Sequence, residues 1–311
     1  MTEEIPFEEV PLEADALTKL YIHDGSEVHK NTVRAQLEHR IELVKYWKIR
    51  KGELVLELGC GQGDCTLALA AAVGLTGRVI ACDPAPPDYG SPYTLGEAQD
   101  HIKKSPLGPR ITFLQTDTLT FLQYTESIFD TAVLAHSIWY FSSPDQLKLI
   151  LSWLSKRARR ICIAEWSLSA ANDPRGFPHV LAALTQASWE SRKVDSTSNI
   201  RTILSSTSIK DIAAACGLVL RQEKIFSPVD GVLDGKWEAD FVMSYGYRKE
   251  VEQTLKWKEQ EREKAVMLAL IDATATNYNA VVAKGEIIKS MDVWVATYIK
   301  KNTLPAVPSS V

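Results

Sequence analysis

The sequence predicts an α/β fold in which helices cover both faces of a doubly wound, largely parallel sheet. Short apolar runs alternate with segments of helical periodicity, a pattern typical of strand-helix-strand units. The first apolar run also ends in a glycine-rich turn that leads into a helix. With 311 residues, 45% of them hydrophobic, the chain is long enough to bury a full core.

Seven apolar runs have the length and composition of strands. Five come first and alternate with helices, and the last two lie on either side of a long helical region. The predicted strands are 54–58, 78–82, 111–115, 131–135, 161–164, 218–226 and 291–299, and the helices between the first five are 64–73, 94–103 and 144–157. Pro144 suits the first turn of its helix.

The other segments are assigned by periodicity and composition. Residues 1–14 are predicted as a flexible arm and 15–47 as a helical cap of one or two helices, ahead of a domain at 48–311. Insertions at 167–206 and 227–290 interrupt this domain, are largely helical and are interpreted as a lid. Between them a helix over 208–216, with Ser208 as its N-cap, stops at Gly217.

Composition excludes several classes of function. A formal net charge of -4 gives no broad basic field for nucleic acid, so no nucleic-acid partner is predicted. The acidic start of the chain has no apolar signal core, and no run of about 18 apolar residues indicates a membrane span. Five cysteines without a CxxC pair indicate reduced thiols, so a cytoplasmic location is predicted.

The most informative segment is the turn after the first strand, which reads Gly59-Cys60-Gly61-Gln62-Gly63 and follows Glu57. Glycine at every second position allows unusual backbone angles and lets a ligand approach main-chain N–H groups at a helix N-terminus. A dinucleotide fingerprint would place its third glycine at Asp64, where a carboxylate would repel a pyrophosphate. A nicotinamide-dependent dehydrogenase is therefore disfavoured.

Two carboxylates follow the next strands at the edge of the sheet where ligands of such folds bind. Asp83 ends the second strand and can accept hydrogen bonds from both hydroxyls of a ribose, which argues against a 2′-phosphate there. Asp117 follows the third strand and suits an exocyclic amine of adenine. Together with the glycine turn, these residues predict a nucleoside site.

With these residues, the chain resembles the class I methyltransferases that use S-adenosyl-L-methionine (SAM), over roughly residues 40–226 and the final strand. The resemblance implies a Rossmann-like, seven-stranded mixed sheet ending in an antiparallel pair of strands, with S-adenosyl-L-homocysteine (SAH) as product. It implies that Glu57 and the glycine turn hold the amino-acid part of SAM. By the same resemblance Asp83 binds the ribose, Asp117 with Thr118 the adenine, and Ala135, at the end of the fourth strand, lies beside the methyl group.

The segment after the fourth strand is predicted to carry the acceptor chemistry. Methyl transfer is an in-line displacement that needs alignment, exclusion of water and removal of a proton where the acceptor has one. His136 is a candidate general base, or only a strand cap, and Glu165 is a second candidate base or a loop anchor. The predicted acceptor-binding aromatics are Trp139, Tyr140, Trp166 and Trp189, while Phe177, Trp237 and Trp257 lie in or beside the insertions.

Several alternatives remain beside transfer to a small molecule, with nitrogen or oxygen as the favoured acceptor atom. A nucleic-acid amino-methyltransferase would carry an Asn/Asp-Pro-Pro-Tyr-type turn where this chain has Ala135-His136-Ser137-Ile138. A metal-dependent enzyme would need oxygen ligands clustered after the fourth and fifth strands, so no metal is predicted. A protein that binds SAM without methyl transfer, as a regulator or a cyclase-type catalyst, stays open, as does the oligomeric state.

Overall fold

The computed structural model describes residues 9–301 except 195, 197 and 257. Seven strands form one mixed sheet in the order β3-β2-β1-β4-β5-β7-β6, with β7 antiparallel to both of its neighbours. This confirms the predicted fold class and the terminal antiparallel pair. The strands are β1 Leu54–Leu58, β2 Arg78–Asp83, β3 Ile111–Gln115, β4 Phe129–Ala135, β5 Ala158–Trp166, β6 Leu218–Phe226 and β7 Val293–Lys300.

The predicted strand positions are correct, and the main differences lie at their ends. β5 begins three residues before the predicted start at 161, since Arg160 is tied into the sheet by contacts that hydrophobicity does not reveal. Its guanidinium lies 2.9 Å from Glu53 Oε1 and donates to the backbone oxygen of Trp47. A charged residue can thus continue a buried strand when its partners are supplied from elsewhere in the fold.

Helices cover both faces of the sheet. On one face α2 packs on α3, and on the other α6 packs on α5 and α8. Two large apolar clusters, one for each face, fill these layers. The helices outside the insertions are α1 Ala14–Thr18, α2 Glu27–Trp47, α3 Asp64–Val73, α4 Leu95–Lys103, α5 Thr118–Tyr124, α6 Pro144–Arg157 and α8 Ser206–Ala215.

Two helical details differ from the sequence prediction. The N-cap of α8 is Ser205, whose side chain accepts from the backbone N–H of Ser208, so Ser208 lies inside the first turn and its assignment as the cap was wrong. The second difference is α5, a short helix that was not predicted and that begins directly after Asp117. Asp117 caps it, because its Oδ1 accepts from the backbone N–H of Thr120 at 2.9 Å.

The two predicted insertions contain the remaining helices. These insertion helices are α7 Phe177–Glu190, α9 Asp234–Met243, α10 Tyr245–Thr254 and α11 Glu261–Val282. They pack on one another around a third apolar cluster, which includes Trp189 and Met267. Most of the predicted flexible arm, residues 1–8, and Trp257 lie outside the described residues.

One helical segment, Lys258–Val282, is long and apolar enough to cross a membrane by length and composition alone. In the fold, α11 packs on α7 and α9 and buries Met267, Ile271 and Thr274 between them. The cytoplasmic location stays a prediction.

Candidate active site

The glycine turn after β1 takes the backbone conformation that its sequence predicts. Gly59, Gly61 and Gly63 all have positive φ, at 77°, 51° and 90°, and Gly63 is the N-cap of α3. A Cβ at Gly59 would lie 2.6 Å from Ser137 Cβ, whereas one at Gly61 would meet no heavy atom of the described residues within 4 Å. Gly59 therefore allows β1 and the segment after β4 to approach, while Gly61 leaves an open side where a ligand can reach the backbone.

Asp83 lies beside this turn at the end of β2, as predicted. Its Oδ2 accepts from the backbone N–H of Gly61 at 2.8 Å, and its Oδ1 accepts from the N–H of Ala85 at 2.9 Å. A carboxylate has about four lone-pair positions, so this half-buried group can accept two further hydrogen bonds. The two backbone contacts fix its orientation for a ligand diol.

Asp117 and Thr118 lie at the carboxyl end of β3. Asp117 is exposed and uses Oδ1 as the cap of α5, so Oδ2 is the oxygen available to a ligand. Thr118 is buried in the first turn of α5, where a backbone N–H has no acceptor within its own helix. The pair therefore offers an acceptor and a donor side by side.

Glu57 lies behind the glycine turn rather than on its open side. The side chain is buried, and Oε2 accepts a 2.5 Å hydrogen bond from Thr66 Oγ1 in the first turn of α3. Burial raises the pKa of Glu57 to about 8, against the opposing effect of the Thr66 hydrogen bond. This geometry joins β1 to α3 and so supports the shape of the turn.

A change of Glu57 to glutamine should alter how stability depends on pH. Because the pKa of Glu57 is raised in the folded state, its protonated carboxyl contributes to stability below pH 4.5. This contribution is lost as the pH rises through about 8. The wild type should therefore lose stability between pH 5 and 8, whereas Glu57→Gln should not. The free energy of unfolding of the variant minus that of the wild type should increase by at least about 1 kcal/mol over this range. Urea denaturation at both pH values measures it, and parallel pH profiles would contradict the burial of an ionisable carboxyl here.

The end of β4 brings two buried histidines together. His136, which follows Ala135, has a φ of 53°, an uncommon value for a residue with a side chain and one found most often at functional sites. Its Nε2 lies 2.9 Å from Nε2 of His39 on α2. Burial lowers the pKa of both imidazoles well below the usual value, so one neutral ring donates to the other.

Glu165, near the end of β5, lies on the other side of His136. Its Oε1 is 3.6 Å from His136 Nδ1, an atom that has no hydrogen-bond partner among the described residues. The backbone N–H groups of Ile138 and Trp166 each donate to one carboxylate oxygen at 3.0 Å. Burial raises the pKa of Glu165 to about 7, although these N–H groups oppose the shift.

A cavity of about 90 Å³ lies at this point, beyond the carboxyl ends of β4 and β5. It contains both candidate catalytic residues and three of the four predicted aromatics. The lining residues are Arg40, His136, Trp139, Tyr140, Glu165, Trp166, His179, Ile200, Asp234 and Glu238. Residues that are distant in sequence thus form one chamber. It adjoins the glycine turn, because Ser137, next to His136, is the residue that a Cβ at Gly59 would meet.

The fourth predicted aromatic, Trp189, is not part of this chamber. Its indole is buried among the insertion helices and donates to Glu250 Oε1 at 2.9 Å. Phe177 and Trp237 are largely exposed at the surface. Placing the indole of Trp189 in the acceptor site would require the packing of α7 and α10 to be broken.

Five of the residues that form or support the chamber were not predicted from the sequence. Asp234 and Glu238 come from α9, His179 from α7, and His39 and Arg40 from α2. His39 and Arg40 interrupt the apolar face of an amphipathic helix, and this was the available signal. Arg40 Nε lies 2.7 Å from Asp64 Oδ2, while its buried Nη1 has no partner among the described residues.

Known proteins that resemble this chain are methyltransferases. Residues 55–156 match the family model described as a methyltransferase domain. Methyltransferase phomM' of Diaporthe leptostromiformis is 28% identical over 86% of this chain and 84% of its own length. Demethylmenaquinone methyltransferase of Lactobacillus johnsonii is 28% identical over 47% of this chain and 56% of its own.

A solved structure extends the likeness to nearly the whole fold. The cyclopropane-fatty-acyl-phospholipid synthase-like protein of Lactobacillus casei has a TM-score of 0.79 and 28% identity, and the match covers 92% of this chain and 98% of the other. Residues 55–156 thus carry a methyltransferase domain, and the chain as a whole is similar to class I SAM-dependent methyltransferases. The fold and the enzyme class predicted from the sequence are thereby confirmed.

The residues of this methyltransferase fit SAM. The open side of Gly61 lets a ligand approach the backbone of the turn, and Asp83 retains lone pairs for a ribose. Asp64 lies in the first turn of α3, where a dinucleotide-binding turn has its third glycine, and it is paired with Arg40. The turn therefore departs from the dinucleotide pattern at this position.

The methyltransferase shows no three-residue metal cluster of His, Cys, Asp or Glu within the described ranges. Of the carboxylates near the reactive centre, Glu165 binds backbone N–H groups and Glu238 binds the side chain of Gln186. Independence from metal ions stays a prediction, and dialysis against a chelator is its direct measurement.

Proposed function

We propose that this enzyme transfers the methyl group of SAM to a nitrogen or oxygen of a small molecule held in the chamber at the ends of β4 and β5. The observation that carries the proposal is the position of this chamber. It adjoins the glycine turn, since Arg40 of its lining pairs with Asp64 directly after the turn, and it contains buried titratable groups and aromatic side chains. Its volume is small and most of its lining is buried, which suits the reaction of a single group with little access of water.

We assign the cofactor side to the ends of β1 to β4. The backbone of Gly59, Gly61 and Gly63 receives the amino-acid part of SAM, while Glu57 supports that turn from behind. Asp83 accepts from the ribose, Asp117 and Thr118 contact the adenine, and the backbone at Ala135 lines the methyl group. SAM supplies an electrophilic methyl carbon bonded to a positively charged sulfur.

The insertions at 167–206 and 227–290 serve as the lid. α9 of the second insertion contributes Asp234 and Glu238 to the chamber, and α7 of the first contributes His179. Within the first insertion, Asn199 accepts a 2.5 Å hydrogen bond from the hydroxyl of Tyr89, which belongs to the loop after β2. The lid therefore reaches both the acceptor side and the cofactor side.

The hydrogen-bond arrangement supports Glu165 as the group that removes the proton. When Glu165 is ionised, its charge favours a proton on Nδ1 of neutral His136, 3.6 Å from Oε1. His136 Nε2 then accepts from His39 Nε2, so no lone pair of His136 is left for a substrate proton. Glu165 can take that proton, since a pKa of about 7 suits a general base at neutral pH.

Label transfer tests the proposed function. Purified protein is incubated with SAM that carries a radiolabelled methyl group and with fractionated small-molecule extracts. The expected result is a labelled product of low molecular mass together with SAH. Binding of SAM without any labelled product or SAH would contradict methyl transfer to a small molecule.

The ribose assignment makes a separate prediction. Asp83→Ala removes the acceptors for the ribose hydroxyls, so SAM binding should weaken by roughly 1–3 kcal/mol, about 5- to 150-fold in Kd. Isothermal calorimetry with SAM measures the change, and Asp88→Ala in the same loop is the control that removes a charge elsewhere. An unchanged Kd for Asp83→Ala would remove the ribose assignment.

A further inference from the structure

The chamber carries an excess of negative charge. Three carboxyl groups, those of Glu165, Asp234 and Glu238, line it together with a single guanidinium, that of Arg40. Arg40 is already paired with Asp64 through Nε. The positive charge in the lining is thus largely balanced by a carboxylate that does not line the chamber.

The two carboxylates of α9 have neutral partners. Asp234 Oδ2 accepts from Gln36 at 2.9 Å, and Glu238 Oε2 accepts from Gln186 at 2.5 Å. Neither forms an ion pair within 4 Å in the described part of the chain. Amide partners fix the orientation of a carboxylate and leave its charge in place. Asp234 and Glu238 lie four residues apart and therefore share one face of α9.

One buried polar atom of the chamber lacks a hydrogen-bond partner among the described residues, which favours a polar ligand there. The side chain of His136 is 6% exposed, and its Nδ1 has no hydrogen-bond partner among the described residues. Such a group has a desolvation cost that a bound polar molecule offsets. The carboxylates, this imidazole and the guanidinium Nη1 of Arg40 belong to the same chamber.

The aromatic and acidic side chains of the chamber favour a ligand with a positive charge. Trp139, Tyr140 and Trp166 line the chamber, and aromatic rings attract cations through their negative faces. Burial raises the pKa of the Tyr140 hydroxyl, and the negative charges of Glu238, Asp234 and Glu165 add to this effect. A cation is favoured at this place, and an anion is disfavoured.

We propose that the methyl acceptor is an amine, which enters as an ammonium ion bound by Asp234 and Glu238 and is deprotonated by Glu165. This inference rests on the proposed function. The ammonium proton moves to the Glu165 carboxylate, and the freed nitrogen lone pair forms a bond to the methyl carbon. The bond from that carbon to sulfur breaks with its electrons left on sulfur, so the products are SAH and an N-methylammonium ion.

The position of these acidic groups favours contact with the acceptor rather than with SAM. Asp234 and Glu238 are on α9, in the second insertion, and Glu165 is near the end of β5. The glycine turn, Asp83 and Asp117 follow β1, β2 and β3, on the other side of β4 in the sheet. Changes at Asp234 and Glu238 should accordingly affect the acceptor more than the cofactor.

The first experiment identifies the atom that is methylated. The enzyme is incubated with methyl-labelled SAM and either an extract or pairs of acceptors with one skeleton, such as tryptamine with tryptophol and phenylethylamine with phenylethanol. We expect label on nitrogen, located by tandem mass spectrometry, and no labelled alcohol. Label on oxygen, sulfur or carbon overturns the amine assignment while the proposed function stands, whereas no labelled product and no SAH counts against the proposed function itself.

The second experiment uses charge-neutralising variants of α9. Asp234→Asn and Glu238→Gln should each raise the KM for the amine at least tenfold and leave the Kd for SAM within twofold. Asp240→Asn is the matched control, since Asp240 is on the same helix and pairs with Lys236 outside the chamber. An unchanged KM in both variants, or a weakened Kd for SAM with an unchanged KM, overturns the proposal.

Discussion

Replacing Glu165 by glutamine is expected to lower kcat/KM by about 10²- to 10⁴-fold, the usual contribution of a positioned general base. The wild-type kcat/KM should rise with pH through about 7 as Glu165 ionises, and the variant should lose this rise. Steady-state kinetics between pH 5.5 and 8.5 measure both effects. The acceptor used in this assay should have a pKa well above 9, so that its own titration does not overlap with that of Glu165.

The surroundings of Glu165 define the controls. The other charged and titratable groups that share its chamber are Arg40, His136, Tyr140, His179, Asp234 and Glu238. Burial lowers the pKa of His136 and His179, and burial raises the pKa of Tyr140 and Glu238. Asp234→Asn changes another carboxylate of the chamber and leaves the proposed base in place. In this variant kcat/KM should still rise with pH near 7.

Folding of the Glu165→Gln variant needs a separate check. Both oxygens of Glu165 accept backbone N–H groups, and an amide can satisfy only one of them, so stability should fall by roughly 1–3 kcal/mol. Calorimetry with SAM shows whether the cofactor side is intact. A folded variant that binds SAM and retains both wild-type activity and the wild-type pH profile would eliminate Glu165 as the base.

Two alanine substitutions in the glycine turn are expected to separate ligand binding from stability. Gly61→Ala places a methyl group on the open side of the turn, so SAM binding should weaken at least tenfold, while the left-handed φ of 51° costs about 1–2 kcal/mol of stability. Gly59→Ala adds a Cβ only 2.6 Å from Ser137 Cβ. Its loss of stability should be larger, roughly 2–4 kcal/mol, because overpacking adds to the backbone strain.

Urea denaturation and calorimetry with SAM, applied to both variants, measure this separation. The two positions share one turn and one type of substitution, so each variant is the matched control of the other. Equal losses of stability in the two variants would contradict the different surroundings of the two glycines. Unchanged SAM binding in Gly61→Ala would show that the cofactor does not approach the turn from this side.

The sequence by itself determined the sheet, the glycine turn and the carboxylate at the end of β2. These features depend on neighbours in the chain: apolar runs form strands, and glycines at alternate positions permit the positive φ values. Asp83 reaches the turn because parallel strands place their carboxyl ends at one edge. Local periodicity and backbone freedom were sufficient for this half of the site.

Only the tertiary structure decided the composition of the chamber. His39 and Arg40 come from a helix before β1, and Asp234 and Glu238 from one after β6, and no local pattern reports which distant side chains will meet. Trp189 shows the converse, since the packing of the insertion helices encloses its indole away from the chamber. Burial, which depends on the whole fold, also raises the pKa of Glu165 to about 7 and keeps the imidazole of His136 neutral.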